Sequence, residues 1–255
     1  MFCESETGVV VTITNQASGT WTQVADSPQD SAATRLTVFW SRYNGTQTAP
    51  TASTSTATHI CLVTVSFIGC VTDGDPWNVT SGGTDTTSDT SLNATGDTTT
   101  VADCLVVVAC STGQDANNAQ FTAWGSNELT PVLPTNLPEA DDVCTNLGGG
   151  GGVGVAYGGK AVAGTYNDTT ATLANASTKG FITIALKPAV MTSSLQPNTE
   201  MSLSMWRQAI LLKQYLYPTW FSHIEPISAV MPVSMDMWHR ETERQRAEQD
   251  EVVSY

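Results

Sequence analysis

The side chains that could ligate a metal or act as nucleophile and base are few, and their spacing is unfavourable. Histidine occurs only at His59, His223 and His239, and cysteine at Cys3, Cys61, Cys70, Cys104, Cys110 and Cys144. No two cysteines form a CxxC pair, so the close spacing of a structural zinc site is missing. The segment Gly154-Val-Ala-Tyr-Gly-Gly-Lys160-Ala161 comes within one residue of a phosphate-binding loop. Ala161 stands where a hydroxyl would have to hold magnesium, and no helix signal follows to face the phosphates. Gly149, Gly151 and Gly154 match GxGxxG only because 148–152 is an unbroken glycine run, which reads better as a flexible or close-packed loop. Asp73-Gly-Asp-Pro-Trp-Asn78 gathers oxygen ligands but lacks the remainder of a calcium loop, and a turn is the expectation. Asp141-Asp142 reads the same way. A carboxylate pair for glycoside hydrolysis could be chosen from the acidic loops, but with so many acids some pair is inevitable. No GxSxG or HExxH occurs. Neither catalysis, a cofactor nor a metal is expected.

The elements that would position such groups are strands. Short apolar or alternating runs recur between turn signals at 8–14, 35–43, 59–68, 104–110, 120–124, 153–157, 171–174 and 181–186. Runs rich in Thr, Ser, Asp and Gly at 50–58, 73–100 and 131–152 read as loops. No helical period appears before residue 188, which predicts an all-β fold, an antiparallel β-sandwich of jelly-roll or lectin-like shape. Its expected core includes Trp40, Val63, Val65, Val106, Val108 and Ile184. Cys104 and Cys110 lie on one strand, roughly 20 Å apart at about 3.3 Å per residue, too far to bridge. Cys70 and Cys104 could meet across neighbouring strands, although buried free thiols are the favoured reading.

Composition changes sharply near residue 190. Six of the seven methionines and three of the seven tryptophans follow it. Lys187-Pro188 closes the last strand-like run, because proline cannot donate to a ladder, and so divides a β domain at 1–188 from a C-terminal extension at 189–255. The extension holds two helix candidates: 198–217, capped by Asn198 or Thr199 and ended by Pro218, and the charged stretch 236–252. Three prolines between them favour extended chain. The expected arrangement is a partly helical, partly extended assembly arm, with Trp206, Leu211, Leu212 and Trp220 as its anchors on another subunit.

The 255 residues carry 10 basic against 24 acidic side chains, a net charge of -14. Nucleic-acid binding by phosphate neutralisation is therefore not expected. Only 13% of residues are charged, so solubility must come from hydroxyls and amides, and the 39 threonines favour strands. No run approaches the roughly 20 apolar residues of a spanning helix. Met-Phe-Cys-Glu-Ser-Glu lacks the basic and apolar regions of a secretory leader.

One resemblance covers most of 1–188. It rests on Trp21-Thr-Gln-Val-Ala-Asp-Ser-Pro28, Thr34-Arg-Leu-Thr-Val-Phe-Trp40, Ile68-Gly-Cys-Val-Thr-Asp-Gly-Asp-Pro-Trp-Asn-Val-Thr80, Thr100-Val-Ala-Asp-Cys-Leu-Val-Val107 and Ala174-Asn-Ala-Ser177. These segments resemble a β-rich module of tailed-bacteriophage virion proteins. Such modules begin with a further strand ahead of the position of Met1, where this chain departs from the pattern, and residues 191–255 lie outside the resemblance. It implies a non-enzymatic structural protein, made in the host cytoplasm and built into the virion as a peripheral tail or capsid-decorating component. Its partners would be other virion proteins and further copies of itself. The alternative is a carbohydrate-binding adhesin that recognises a host surface glycan on the same sandwich, with Trp77, Trp124 and Tyr157 as the rings that would stack on sugar.

Overall fold

The computed structural model describes residues 1–14, 19–56, 58–130 and 137–189. The chain divides into two units, Met1–Met191 and Thr192–Tyr255; the second, with both helix candidates and the anchors Trp206, Leu211, Leu212 and Trp220, lies outside the described residues.

β-branched runs bounded by turns become antiparallel strands, with no helix among the described residues. The smaller sheet runs β3 (Thr22–Gln23), β5 (Arg35–Trp40), β1 (Phe2–Ser5), β7 (Ile60–Val63), and β4 (Gln29–Asp30) also pairs with β5. The larger runs β11 (Phe121–Gly125), β15 (Thr169–Leu186), β10 (Cys104–Thr112), β13 (Gly151–Lys160), β12 (Glu139–Thr145). Along the other side of β15 lies β8 (Trp77–Ala94). Two short ribbons complete the set: β2 (Val11–Ile13) with β6 (Ala52–Thr54), and β9 (Thr98–Thr99) with β14 (Gly164–Thr165).

Side-chain alternation along β10 explains how the layers join. Val107 and Ala109 face the smaller sheet and share one apolar cluster with Phe2, Leu36, Val38, Val63, Val153, Val155, Ile182 and Ile184. Val106, Val108 and Cys110 point the other way, into a second cluster with Leu92, Phe121, Trp124, Tyr166 and Leu173. A strand covered on both faces needs no polar alternation, which is why β10 reads as a continuous apolar run. Each large aliphatic group buried here contributes about 1.5–3 kcal/mol.

The pairing of the two longest strands of the larger sheet is irregular. Two 18-residue strands, β8 and β15, would each span roughly 60 Å if straight. Register shifts between Thr172 and Ser177 and between Ser177 and Lys179 interrupt their pairing, as expected where a bulge turns a strand. At that point the Lys179 ammonium is fully buried. It donates to Asp89 Oδ1 at 2.8 Å and to the carbonyls of Ser177, Thr87 and Asp89 at 3.0, 3.3 and 3.3 Å, and it pairs with Asp85 Oδ2 at 3.2 Å. It ties both strands together where the ladder is broken.

Several expectations are corrected. Residues 77–94 form the longest strand of the edge rather than a loop, and 139–145 form β12. Residues 171–174 and 181–186 belong to one strand. The 59–68 run leaves the sheet after Val63, and the 8–14 run keeps only three residues in β2. Val63, Val106, Val108 and Ile184 are buried, while Trp40 and Val65 are only partly so. The favoured reading of the cysteines as free thiols agrees with the structure, where all six are free and the alternative Cys70–Cys104 pair does not form.

Candidate functional site

Where β7 ends, residues 64–72 leave the ladder, turn at Gly69, which adopts φ 80°, and border a cavity of about 640 Å³ between the sheets. Its floor is made by Val38, Val107, Ile184 and Leu186, which point inward from both sheets. The aromatic rings of Trp21, Trp40, Tyr43, Phe67 and Trp77 line it, and the polar groups of Ser41, Gln47, Thr64 and Ser66 stand among them.

Each wall is held by identifiable contacts. Trp40, the last residue of β5, meets Trp77, the first of β8, edge to face, with centroids 5.4 Å apart and planes at 86°. That T-shaped geometry sets the positive edge of one ring against the negative face of the other. The Arg42 guanidinium lies 5.5 Å over the Trp40 ring and donates to the carbonyls of Val71 and Gly74. One side chain thus ties the 71–74 turn to the end of β5. The stretch 69–71 is fixed from behind by the exit of β15: Val71 N donates to Lys187 O at 3.2 Å, and Ala189 N to Gly69 O at 2.6 Å. Gln47 Nε2 donates to Ser41 Oγ at 2.7 Å and closes the opposite lip. Burial pushes the Cys70 thiol up against the opposing pull of Arg42.

No carboxylate lines the cavity, although the chain is strongly acidic. Arg42 is the one cationic side chain among the lining residues, and it donates to carbonyl oxygens; the Met1 amine, which burial holds down to about 6, donates to Phe39 O at 2.8 Å. The cavity therefore offers aromatic faces beside hydroxyls and an amide, in nearly neutral surroundings.

Of the three rings proposed for sugar stacking, only Trp77 reaches this cavity. Trp124 is 1% exposed on the opposite face of the larger sheet, stacked on Phe121 with centroids 5.5 Å apart, so it presents no open face. Tyr157 is half-buried on β13, beside the cluster between the sheets, and is not among the lining residues. The residues that sequence reasoning missed are Arg42, Tyr43, Phe67 and Trp21. Tyr43 beside a loop signal was the only local hint.

The remaining candidate motifs are placed plainly. Gly154 to Lys160 belong to the paired strand β13, where Gly158 and Gly159 admit Leu129 and Thr130 closely, so no phosphate loop exists there. Gly74 adopts φ 63° in the exposed turn between Asp73 and Asp75. Asp141 and Asp142 lie on β12, and Asp142 Oδ2 accepts from the Phe121 N–H at 2.6 Å. Burial pushes the Asp142 and Glu139 carboxyls up. Among the described residues no group of three or more His, Cys, Asp or Glu is placed to hold a metal ion. No helix among them is long and apolar enough to cross a membrane.

Comparison with family models, with curated proteins and with solved structures finds no match to this chain.

Proposed function

We propose that the chain is a non-enzymatic structural component of a tailed-phage virion, a jelly-roll or lectin-like sandwich that decorates the capsid or sits peripherally on the tail. What supports the reading is the spatial convergence of the segments that carry the resemblance. Ser27 Oγ accepts from the Val38 N–H at 2.8 Å, joining the first segment to the second. Thr80 Oγ1 donates to Asp26 Oδ2 at 2.6 Å, joining the first to the third. Trp40 on Trp77 joins the second to the third. Asn78 Nδ2 donates to Thr100 Oγ1 at 2.9 Å and its Oδ1 accepts from Thr100 N–H at 2.7 Å, joining the third to the fourth. Four stretches separated by up to tens of residues thus meet at one bonded corner.

On this reading residues 189–255, a partly helical arm, supply the assembly surface through Trp206, Leu211, Leu212 and Trp220, and the protein is a homo-oligomer among other virion proteins. The test is mass spectrometry of gradient-purified particles. Stoichiometric presence of the full chain, and loss from particles of a chain ending at residue 188, are the expected results. Absence of the full chain from particles would overturn the reading.

A further inference from the structure

We infer that the cavity lined by Trp40 and Trp77 is a binding site for a neutral saccharide of one to three pyranose rings. This does not depend on the virion reading, because it rests on the chemistry of the cavity alone.

A pyranose has two kinds of surface, a face of C–H groups and a perimeter of hydroxyls. The cavity offers both complements. Trp21, Trp40, Tyr43, Phe67 and Trp77 supply flat apolar area, the part-buried Ser41 and Gln47 supply polar groups beside them, and the exposed Thr64 and Ser66 add hydroxyls at the outer edge. Trp and Tyr suit such a site because each presents an apolar body with little conformational freedom to lose. About 640 Å³ lies in the range of small-ligand pockets, roughly 300–1,000 Å³.

Other ligand classes fit less well. A phosphate or carboxylate would need an uncommitted cation, whereas Arg42 donates to Val71 O and Gly74 O and stacks on Trp40. A cationic ligand would find rings for cation–π contact but no acid to neutralise it, and Arg42 already lies over the Trp40 ring. A purely apolar ligand would leave the part-buried Ser41 and Gln47 with only each other as partners, at a cost for the hydrogen-bonding capacity left unmet. Among the lining residues Tyr43 is 76% exposed, so one ring face stands open to an occupant.

The experiment uses the full chain against an immobilised panel of neutral bacterial cell-envelope oligosaccharides, with positives titrated in solution by calorimetry and tryptophan emission. The expected result is at least one saccharide binding below millimolar Kd, with a change in emission and no dependence on added sodium chloride. Tyr43→Ala should weaken it about tenfold, the loss of one aromatic anchor, with thermal unfolding unchanged because Tyr43 is exposed. Trp77→Phe should weaken it too. Binding to no member of the panel would overturn the inference, as would binding that Tyr43→Ala and Trp77→Phe both leave intact. Salt-sensitive binding of an acidic oligosaccharide added as a control, with no neutral member bound, would show an anionic ligand, and uptake of 1-anilinonaphthalene-8-sulfonate that no saccharide displaces would show an apolar one; either overturns it.

Discussion

The Nε2 of His59 lies 3.1 Å from Oε2 of Glu4, and both side chains are completely shut off from solvent. Thr34 Oγ1 donates to Glu4 Oε1 at 3.1 Å, and Glu6 Oε1 lies 3.6 Å from the other imidazole nitrogen of His59. β1 carries the acid and the chain just ahead of β7 carries the base, so the pair links neighbouring strands of the smaller sheet. Burial pushes the Glu4 carboxyl up, against the pull of His59 and Thr34, while the hydrogen bond to Glu4 raises His59 against its own burial. A buried pair of this kind gains little over an apolar replacement but costs about 3–5 kcal/mol when one member is removed.

Both shifts have the same linkage sign. Folded values above the ordinary 4.5 of Glu4 and 6.5 of His59 mean that the folded chain keeps protons which the unfolded chain releases. The stabilisation from His59 is full below 6.5 and is lost as pH rises through its raised value; that from Glu4 is full below 4.5 and is lost likewise. The buried Met1 amine, held down to about 6 from 8.0, acts oppositely between those values. The test therefore compares the parent with Glu4→Gln. The parent's advantage in thermal midpoint should narrow as pH rises from about 5.5 to about 8.5; a constant gap would show that the pair does not titrate in this range.

Gly154 on β13 is predicted to be intolerant of a side chain. A Cβ there would stand 2.5 Å from the Phe121 ring and 3.0 Å from that of Trp124. Neither ring can retreat, since both are 1% exposed within a packed cluster. Gly154→Ala should cost about 1–3 kcal/mol by overpacking, read as a lower midpoint in urea. An unchanged midpoint would mean that β11 is not folded down on β13.

These elements also show what is legible in a sequence of this kind. β10 can be read because both of its faces are covered and its valines run unbroken. β8 cannot, since from Asn78 to Thr90 it is nearly all Thr, Ser, Gly and Asp. It is a strand because β15 pairs with it, and Gly82 and Gly83 let Gln29 and Phe181 come close. Thr and Ser along an outer strand satisfy water on one side, which is also how a loop reads. Trp77 was legible as a candidate ring, but its cavity arises from three long-range events: the departure of 64–72 from the sheet, the reach of Arg42 to the 71–74 turn, and the pairing of 69–71 with 187–189. No local pattern encodes these.

The thiols provide a check on the core that needs no substitution. Burial pushes Cys3, Cys61 and Cys144 up to about 12 and raises Cys110, Cys70 and Cys104 as well. The attacking species is the thiolate, so at pH 8 the native chain should react slowly with Ellman's reagent, and only through the half-buried Cys70 and Cys144. Guanidinium should release all six. Rapid reaction of more than two thiols without denaturant would show that the buried Cys3, Cys61, Cys104 and Cys110 are open.

Lys179 carries the last prediction. Its ammonium has three protons to share among five oxygens, two from exposed-side carboxylates and three from carbonyls. Lys179→Met keeps the length and the apolar stem but leaves the carbonyls of Ser177, Thr87 and Asp89 without this donor, at a place where the ladder between β8 and β15 is already interrupted. Asp85 and Asp89 keep partial access to water and can be hydrated, so most of the loss comes from the carbonyls and from the emptied charge site. The expected cost is about 3–5 kcal/mol, as for one member of a buried ionic cluster. Amide hydrogen exchange should locate it, with protection falling first at 85–94 and 169–179 while β10 and β13 stay protected. Equal loss across all strands would mean that the bend does not open separately from the rest of the fold, and a cost below about 1 kcal/mol would make Lys179 a surface ion pair in effect.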